Sequence, residues 1–254
     1  MHGFLGEFLG TMVLIVFGVG SGAAMNLKGN YARHQNWTFI CLAWGLAVTF
    51  GVYVAGQFGS DGHLNPAVTV GFALFGYLPM ANVWPYLLGQ FLGAFIGAVI
   101  VIIQYYPHFQ AAKTAADGNQ VGIFATGPAI SNPVFNFLSE TIATFFFIFV
   151  LLNLGNFTQG LKPLMVGLLI VVVGQTLGGT TGFAINPARD WAPRLATRFS
   201  RFLIKGWLIG VMPGFQCLVH CLVVFWQLVW KQLLVKYSQL CRFCWAQFFV
   251  IKYN

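Results

Sequence analysis

"GHLNPAVTV" at residues 62–70 and "GFAINPARD" at 182–190 carry the same tripeptide, Asn-Pro-Ala. Each copy sits in a Gly-flanked break beside a long apolar run. Asparagine is a strong helix N-cap, and proline is favoured at the first helical position. Each copy therefore opens a helix. The apolar segments that follow, at about 65–75 and 186–196, are too short to cross a bilayer, which takes about 20 residues. Each is expected to be a half-helix that enters the membrane and stops.

The rest of the chain supports a membrane setting. Of 254 residues, 58% are hydrophobic and 7% charged, against about 25% charged in a soluble domain. Apolar runs at about 4–25, 37–57, 83–105, 134–155 and 162–180 are long enough to span, and a sixth begins near Trp207. The first run is too long for a signal peptide, and Glu7 interrupts its start. The net charge of +8 comes from scattered residues. It suits anionic lipid headgroups and gives no nucleic-acid footprint. The basic residues are not concentrated on one side, so charge does not set orientation.

The two halves resemble each other. "GEFLGTMVLIVFG" at 6–18 parallels "SETIATFFFIFVL" at 139–151, each with one glutamate near the start of its span. Each half reads span, span, half-helix, span. Three spans is an odd number, so the halves are inverted, and such repeats place a binding or conduction site at the midplane. The expected organisation is one channel domain over 1–254. Residues 1–105 form the first repeat, 106–133 a linker rich in Pro, Gly, Asn and Ala, and 134–230 the second repeat. The second repeat turns atypical from about 206, and 231–254 is an atypical tail.

Two half-helix N-termini meeting at the midplane put unpaired N–H groups and partial positive charge there. A cation or hydronium is repelled and a neutral molecule is not. With their oxygens held by backbone donors, Asn65 and Asn186 can offer NH2 groups to a passing hydroxyl. Selection is then by dipole and geometry.

Together these motifs identify the chain as resembling the major intrinsic protein family, over about residues 4–200. The resemblance implies an all-α integral membrane protein. Its aquaporin-like bundle has six transmembrane helices and two re-entrant half-helices in an inverted repeat. It also implies a homotetramer, a cell-membrane location and both termini in the cytoplasm. The pore motifs are Asn65, Pro66, Ala67, Asn186, Pro187 and Ala188. Arg189, three residues after Asn186 on the same helix face, is expensive at membrane depth and is expected at the constriction. Headgroup snorkelling suits Arg194, Arg198 and Arg201 better.

By similarity to the aquaglyceroporin branch and its bacterial glycerol facilitators, Trp44 in "LAWGLAV", Phe183 and Gly174 in "VVGQTLGG" complete the filter. Two aromatic faces would meet a C–H backbone, Arg189 the hydroxyls, and Gly174 would leave width. Asp190 matches the glycerol-conducting pattern. It either pairs with Arg194 one turn on or sets loop shape and pore width. Glu7 and Glu140 are expected to accept hydrogen bonds from the non-helical backbone before each half-helix, which must be satisfied within the protein. His63 is expected to line or brace the inner vestibule. Gly89, Gly93 and Gly97 have the spacing that lets helices approach closely.

The implied function is passive conduction of glycerol, other small neutral solutes and water, without catalytic residues, metal or cofactor. Alternatives are a water-selective channel, disfavoured by Gly174 and Asp190, and a secondary transporter, which would need coupling-ion ligands. An intramembrane enzyme would need a nucleophile–base pair, and Ser21 has no evident histidine partner. Cys241 and Cys244 have CxxC spacing but no second pair. From Phe215 onward the chain contains no glycine, holds four of the five cysteines and carries no acid. A span at about 207–230 would lack the glycine spacing, as after a shift of reading frame.

Overall fold

The computed structural model describes residues 3–118, 121–155, 157–158 and 160–203. The expected sixth span, the tail and its CxxC pair lie outside the described residues. Eight α-helices occur among them: α1 Phe4–Asn26, α2 Trp37–Gln57, α3 Pro66–Leu74, α4 Val83–Gln104, α5 Tyr106–Ala111, α6 Pro133–Asn153, α7 Lys162–Leu177 and α8 Pro187–Leu203. The five apolar runs coincide with α1, α2, α4, α6 and α7 to within a few residues.

Local chemistry fixes the starts. Asn36 caps α2 by accepting from Phe39 N at 3.1 Å. Asn132 caps α6 by accepting from Phe135 N at 3.3 Å, ahead of Pro133. Among the described residues, four helices, counting the turn before α4, are long and apolar enough to cross a bilayer. At 16 residues α7 is shorter than its apolar run. It spans about 24 Å at 1.5 Å per residue, because the glycine pair 178–179 ends it. Conversely, α8 runs on to Leu203, beyond the expected 196. It starts in mid-bundle, so its 17 residues cover about 26 Å outward without crossing.

Glycine carries the helix crossings. On α4, a Cβ on Gly89 would stand 2.6 Å from Phe4 O, and one on Gly97 2.8 Å from Met12 O. Gly93 lies closer still to Phe8 O. One row of carbonyls on α1 thus lies against one row of glycines on α4, in four-residue register. Gly10 and Gly51 face each other's carbonyls between α1 and α2, as do Gly45 and Gly167 between α2 and α7. Backbone meets backbone at all three crossings, where any side chain would hold the helices apart.

The linker expected at 106–133 is structured. It contains α5 and two short 3₁₀ turns, and it buries Ile123 and Phe124, the latter stacked on Phe109 at 5.7 Å. Lys28 meets Asp117 at 3.2 Å and Arg33 donates to Ala116 O at 2.8 Å, tying the linker to the end of α1. The Thr114 hydroxyl and Lys28 hold the Asp117 carboxyl below the ordinary carboxylate range.

Replacing Gly93 by leucine should force α1 and α4 apart. The expected loss is about 3 kcal/mol or more, at the upper end for overpacking, read as a lower melting temperature and a smaller monodisperse fraction in detergent. Leucine at Gly20, which meets nothing within 4 Å, should leave both unchanged.

Candidate functional site

The two Asn-Pro-Ala segments meet in the middle of the bundle. Asn65 Oδ1 accepts from Ala67 N at 2.9 Å, and Asn186 Oδ1 from Arg189 N at 3.1 Å. Each asparagine also reaches across. Asn65 Nδ2 donates to Ile185 O at 2.9 Å, and Asn186 Nδ2 to Leu64 O at 2.7 Å. The cross-bond occupies one hydrogen of each amide and leaves one over. The accepting residues have φ of +52° at Leu64 and +39° at Ile185. Left-handed backbone at a branched residue costs about 1–3 kcal/mol, and here it occurs at the two carbonyls that the opposite asparagines use.

A buried glutamate holds each of these loops. Glu7 accepts from His63 N at 2.8 Å and Leu64 N at 2.7 Å. Glu140 accepts from Ala184 N and Ile185 N, both at 3.1 Å. In each half the donors are the two residues before the asparagine. Glu7 takes two further donors, the Ser60 hydroxyl and Gln90 Nε2 at 2.6 Å. Gln90 also reaches the Thr69 hydroxyl, which meets His63 Nδ1 at 3.1 Å. The His63 ring lies against Phe72 and Tyr86, at 4.8 and 5.1 Å between centroids.

A cavity of about 530 Å³ runs past both asparagines. Tyr53, Tyr77 and Lys162 stand at one end, His63 lies along it, and Trp44, Phe183 and Arg189 stand at the other. The Arg189 guanidinium lies over the Trp44 indole, 4.0 Å from the ring centroid, a favourable cation–π distance. Trp44, Phe183 and Arg189 are only 5%, 4% and 8% exposed. Arg189 Nη1 is buried with no hydrogen-bond partner among the described residues. Such a donor is costly to leave unmet, whereas Arg189 as a residue borders the cavity beside Trp44 and Phe183.

Gly174 stands behind this corner and does not border the cavity. A Cβ there would lie 2.9 Å from both Cys41 Sγ and Phe183 Cζ. Its absence therefore sets width indirectly, by letting the Phe183 ring sit back against α7. Gly178 gives the same ring room, and Gly18 on α1 does so for Trp44. Asp190 makes the Arg194 contact weighed from the sequence, and a second contact that the sequence did not show. It pairs with Arg194 Nε at 2.8 Å and accepts from Thr126 N at 2.8 Å and Thr126 Oγ1 at 3.0 Å. Arg194 also donates to Thr126 O, so it turns inward and not to headgroups.

Sequence reasoning missed Gln90, Thr69, Ser60, Thr126 and Trp37. Gln90 had a signal, as a lone amide inside an apolar span. Thr126 had none, because its role exists only where the linker meets α8. Among the described residues no group of three metal-ligating side chains occurs, and the Ser21 hydroxyl is bonded to Gly18 O at 2.7 Å.

The model of the family described as "Major intrinsic protein" matches residues 1–219. The chain belongs to the major intrinsic protein family. Among its relatives in that family, glycerol uptake facilitator protein 3 of Lactiplantibacillus plantarum is 52% identical over 82% of this chain and 88% of its own. The glycerol uptake facilitator protein of Bacillus subtilis is 45% identical over 81% of this chain and 75% of its own. The X-ray structure of the aquaglyceroporin from Plasmodium falciparum superposes with a TM-score of 0.72 at 31% identity, covering 87% of this chain and 89% of that one. A major intrinsic protein fold accounts for the paired half-helices and the helical bundle around them.

Glu7→Ala should strand the His63 and Leu64 amides and the Gln90 donor. The expected loss is about 3 kcal/mol or more, at about 1–3 kcal/mol for each buried unsatisfied group. Thermal unfolding in detergent would measure it. Glu7→Gln, which keeps one acceptor oxygen, should lose less.

Proposed function

We propose that this protein is a passive transmembrane pore for glycerol and similar small neutral solutes, with water, and that it excludes ions and protons. The observation that carries this reading is the corner of Trp44, Phe183 and Arg189. It ends a cavity that also passes both asparagine amides. Two aromatic rings suit the C–H side of a polyol, and the Arg189 guanidinium, which borders the cavity, suits its hydroxyls. The glycerol facilitator relatives favour the same class of solute.

Ion exclusion follows from the ends of α3 and α8. Two helix N-termini at one level oppose a cation, and Arg189 adds fixed charge beside them. A solute that meets the remaining hydrogens of Asn65 and Asn186 is held as an acceptor, which interrupts a hydrogen-bonded water chain. Glu7 and Glu140 act as supports, since each carboxylate already accepts backbone donors. Asp190 positions the turn that carries Arg189 by fastening it to Thr126 and Arg194.

In this reading the N-terminus is cytoplasmic, so Tyr53 and Lys162 lie at the inner mouth and the linker covers the outer one. The chain works in the cell membrane as a homotetramer with one pore per subunit. The exposed apolar residues of α2, α4 and α6, among them Phe50, Leu92 and Phe146, face lipid or neighbouring subunits.

Stopped-flow light scattering on proteoliposomes tests the proposal, with intact protein beside Gly174→His. Intact protein should pass glycerol without saturation. The substitution should cut glycerol flux about tenfold or more while water flux persists. Well-inserted intact protein that passes no glycerol would overturn the proposal, and saturable, ion-coupled flux would point to a transporter.

A further inference from the structure

Trp37 is the first residue of α2 and is 41% exposed. A tryptophan at the end of a membrane helix is ordinarily an interfacial anchor. Its contacts here are more specific. The indole Nε1 donates to Gly174 O at 3.0 Å, the carbonyl that also accepts from Gly178 N at 3.2 Å. The indole stands edge-to-face on Phe183, with 5.8 Å between centroids and 87° between planes. Phe183 has a φ of +41°, in a loop without regular helix geometry. Its ring is bounded by Gly174 and Gly178 of α7 on one side and by Trp37 on another. The asparagine cap of α2 fixes where Trp37 begins, and the bond to Gly174 fixes which way its ring turns.

We propose that Trp37 is a positioning residue for Phe183, and that it thereby sets the upper size of polyol the pore accepts. This rests on reading Trp44, Phe183 and Arg189 as the solute filter. A side chain smaller than tryptophan at 37 opens space beside the Phe183 ring, where the indole edge now stands. The ring can then move back from Trp44 and Arg189, and longer polyols pass more readily.

The test compares intact protein with Trp37→Leu and Trp37→Phe in proteoliposomes, measuring ribitol and glycerol permeability on the same vesicles. The ratio of the two does not depend on how much protein inserts, so a merely structural or anchoring role would leave it unchanged. Leucine should raise the ribitol-to-glycerol ratio about two- to tenfold, the range for releasing one edge-to-face aromatic contact. Phenylalanine, which lacks the N–H that orients the ring, should raise it about twofold, and it decides the matter if the leucine variant does not insert. Glycerol flux in intact protein with an unchanged ratio in the variants would overturn the role of Trp37 alone. Absence of glycerol flux in well-inserted intact protein would overturn the filter reading together with it.

Discussion

Backbone that leaves helical geometry inside a bilayer must find every hydrogen-bond partner within the protein. This chain does so twice, at His63–Asn65 and Ala184–Asn186, and much of the rest follows from how those amides are met. Glu7 and Glu140 each reach the two N–H groups before an asparagine. With those amides held, Leu64 and Ile185 stay in left-handed conformations, and their carbonyls receive the opposite Asn amides. Each half thus completes the other's hydrogen bonding. The half-helices meet as a pair because neither loop is satisfied alone.

For the glutamates to reach, the helices that carry them must pack at backbone contact. The glycine rows between α1 and α4, and the reciprocal glycine pairs of α1 with α2 and α2 with α7, allow it. Missing side chains serve a second purpose near the cavity. Gly18 makes room for Trp44, and Gly174 and Gly178 for Phe183. The rings are seated by absences on neighbouring helices, so the shape of the corner depends on bundle packing as much as on its own residues. A small residue at 174 matters through the ring in front of it.

The linker belongs to the same construction. Asp190 follows Arg189 directly, and its carboxylate is taken by Thr126 and Arg194. The turn bearing the guanidinium is therefore fastened to a segment some sixty residues away in sequence. Arg189 is left with Trp44 beneath it, at the edge of the cavity.

Sequence alone determined the membrane class, the positions of α1, α2, α4, α6 and α7, the helix starts at Asn65 and Asn186, and the family. These rest on local chemistry, namely apolar run length, caps and breakers, and on a motif repeated in two matching places. It overestimated the length of α7 and underestimated that of α8, because helix ends depend on what the next residues pack against. It read 106–133 as plain linker, whereas Phe124 and Thr126 are buried against other elements. Only the tertiary structure decided that each asparagine bonds across to the other loop, that Gly174 stands behind Phe183, and that Trp37 touches both. The cross-bonds and the Trp37 contacts join residues more than a hundred positions apart. Gly174 meets Phe183 only through the fold of the loop between them, so no periodicity or spacing in the chain encodes which atoms come into contact.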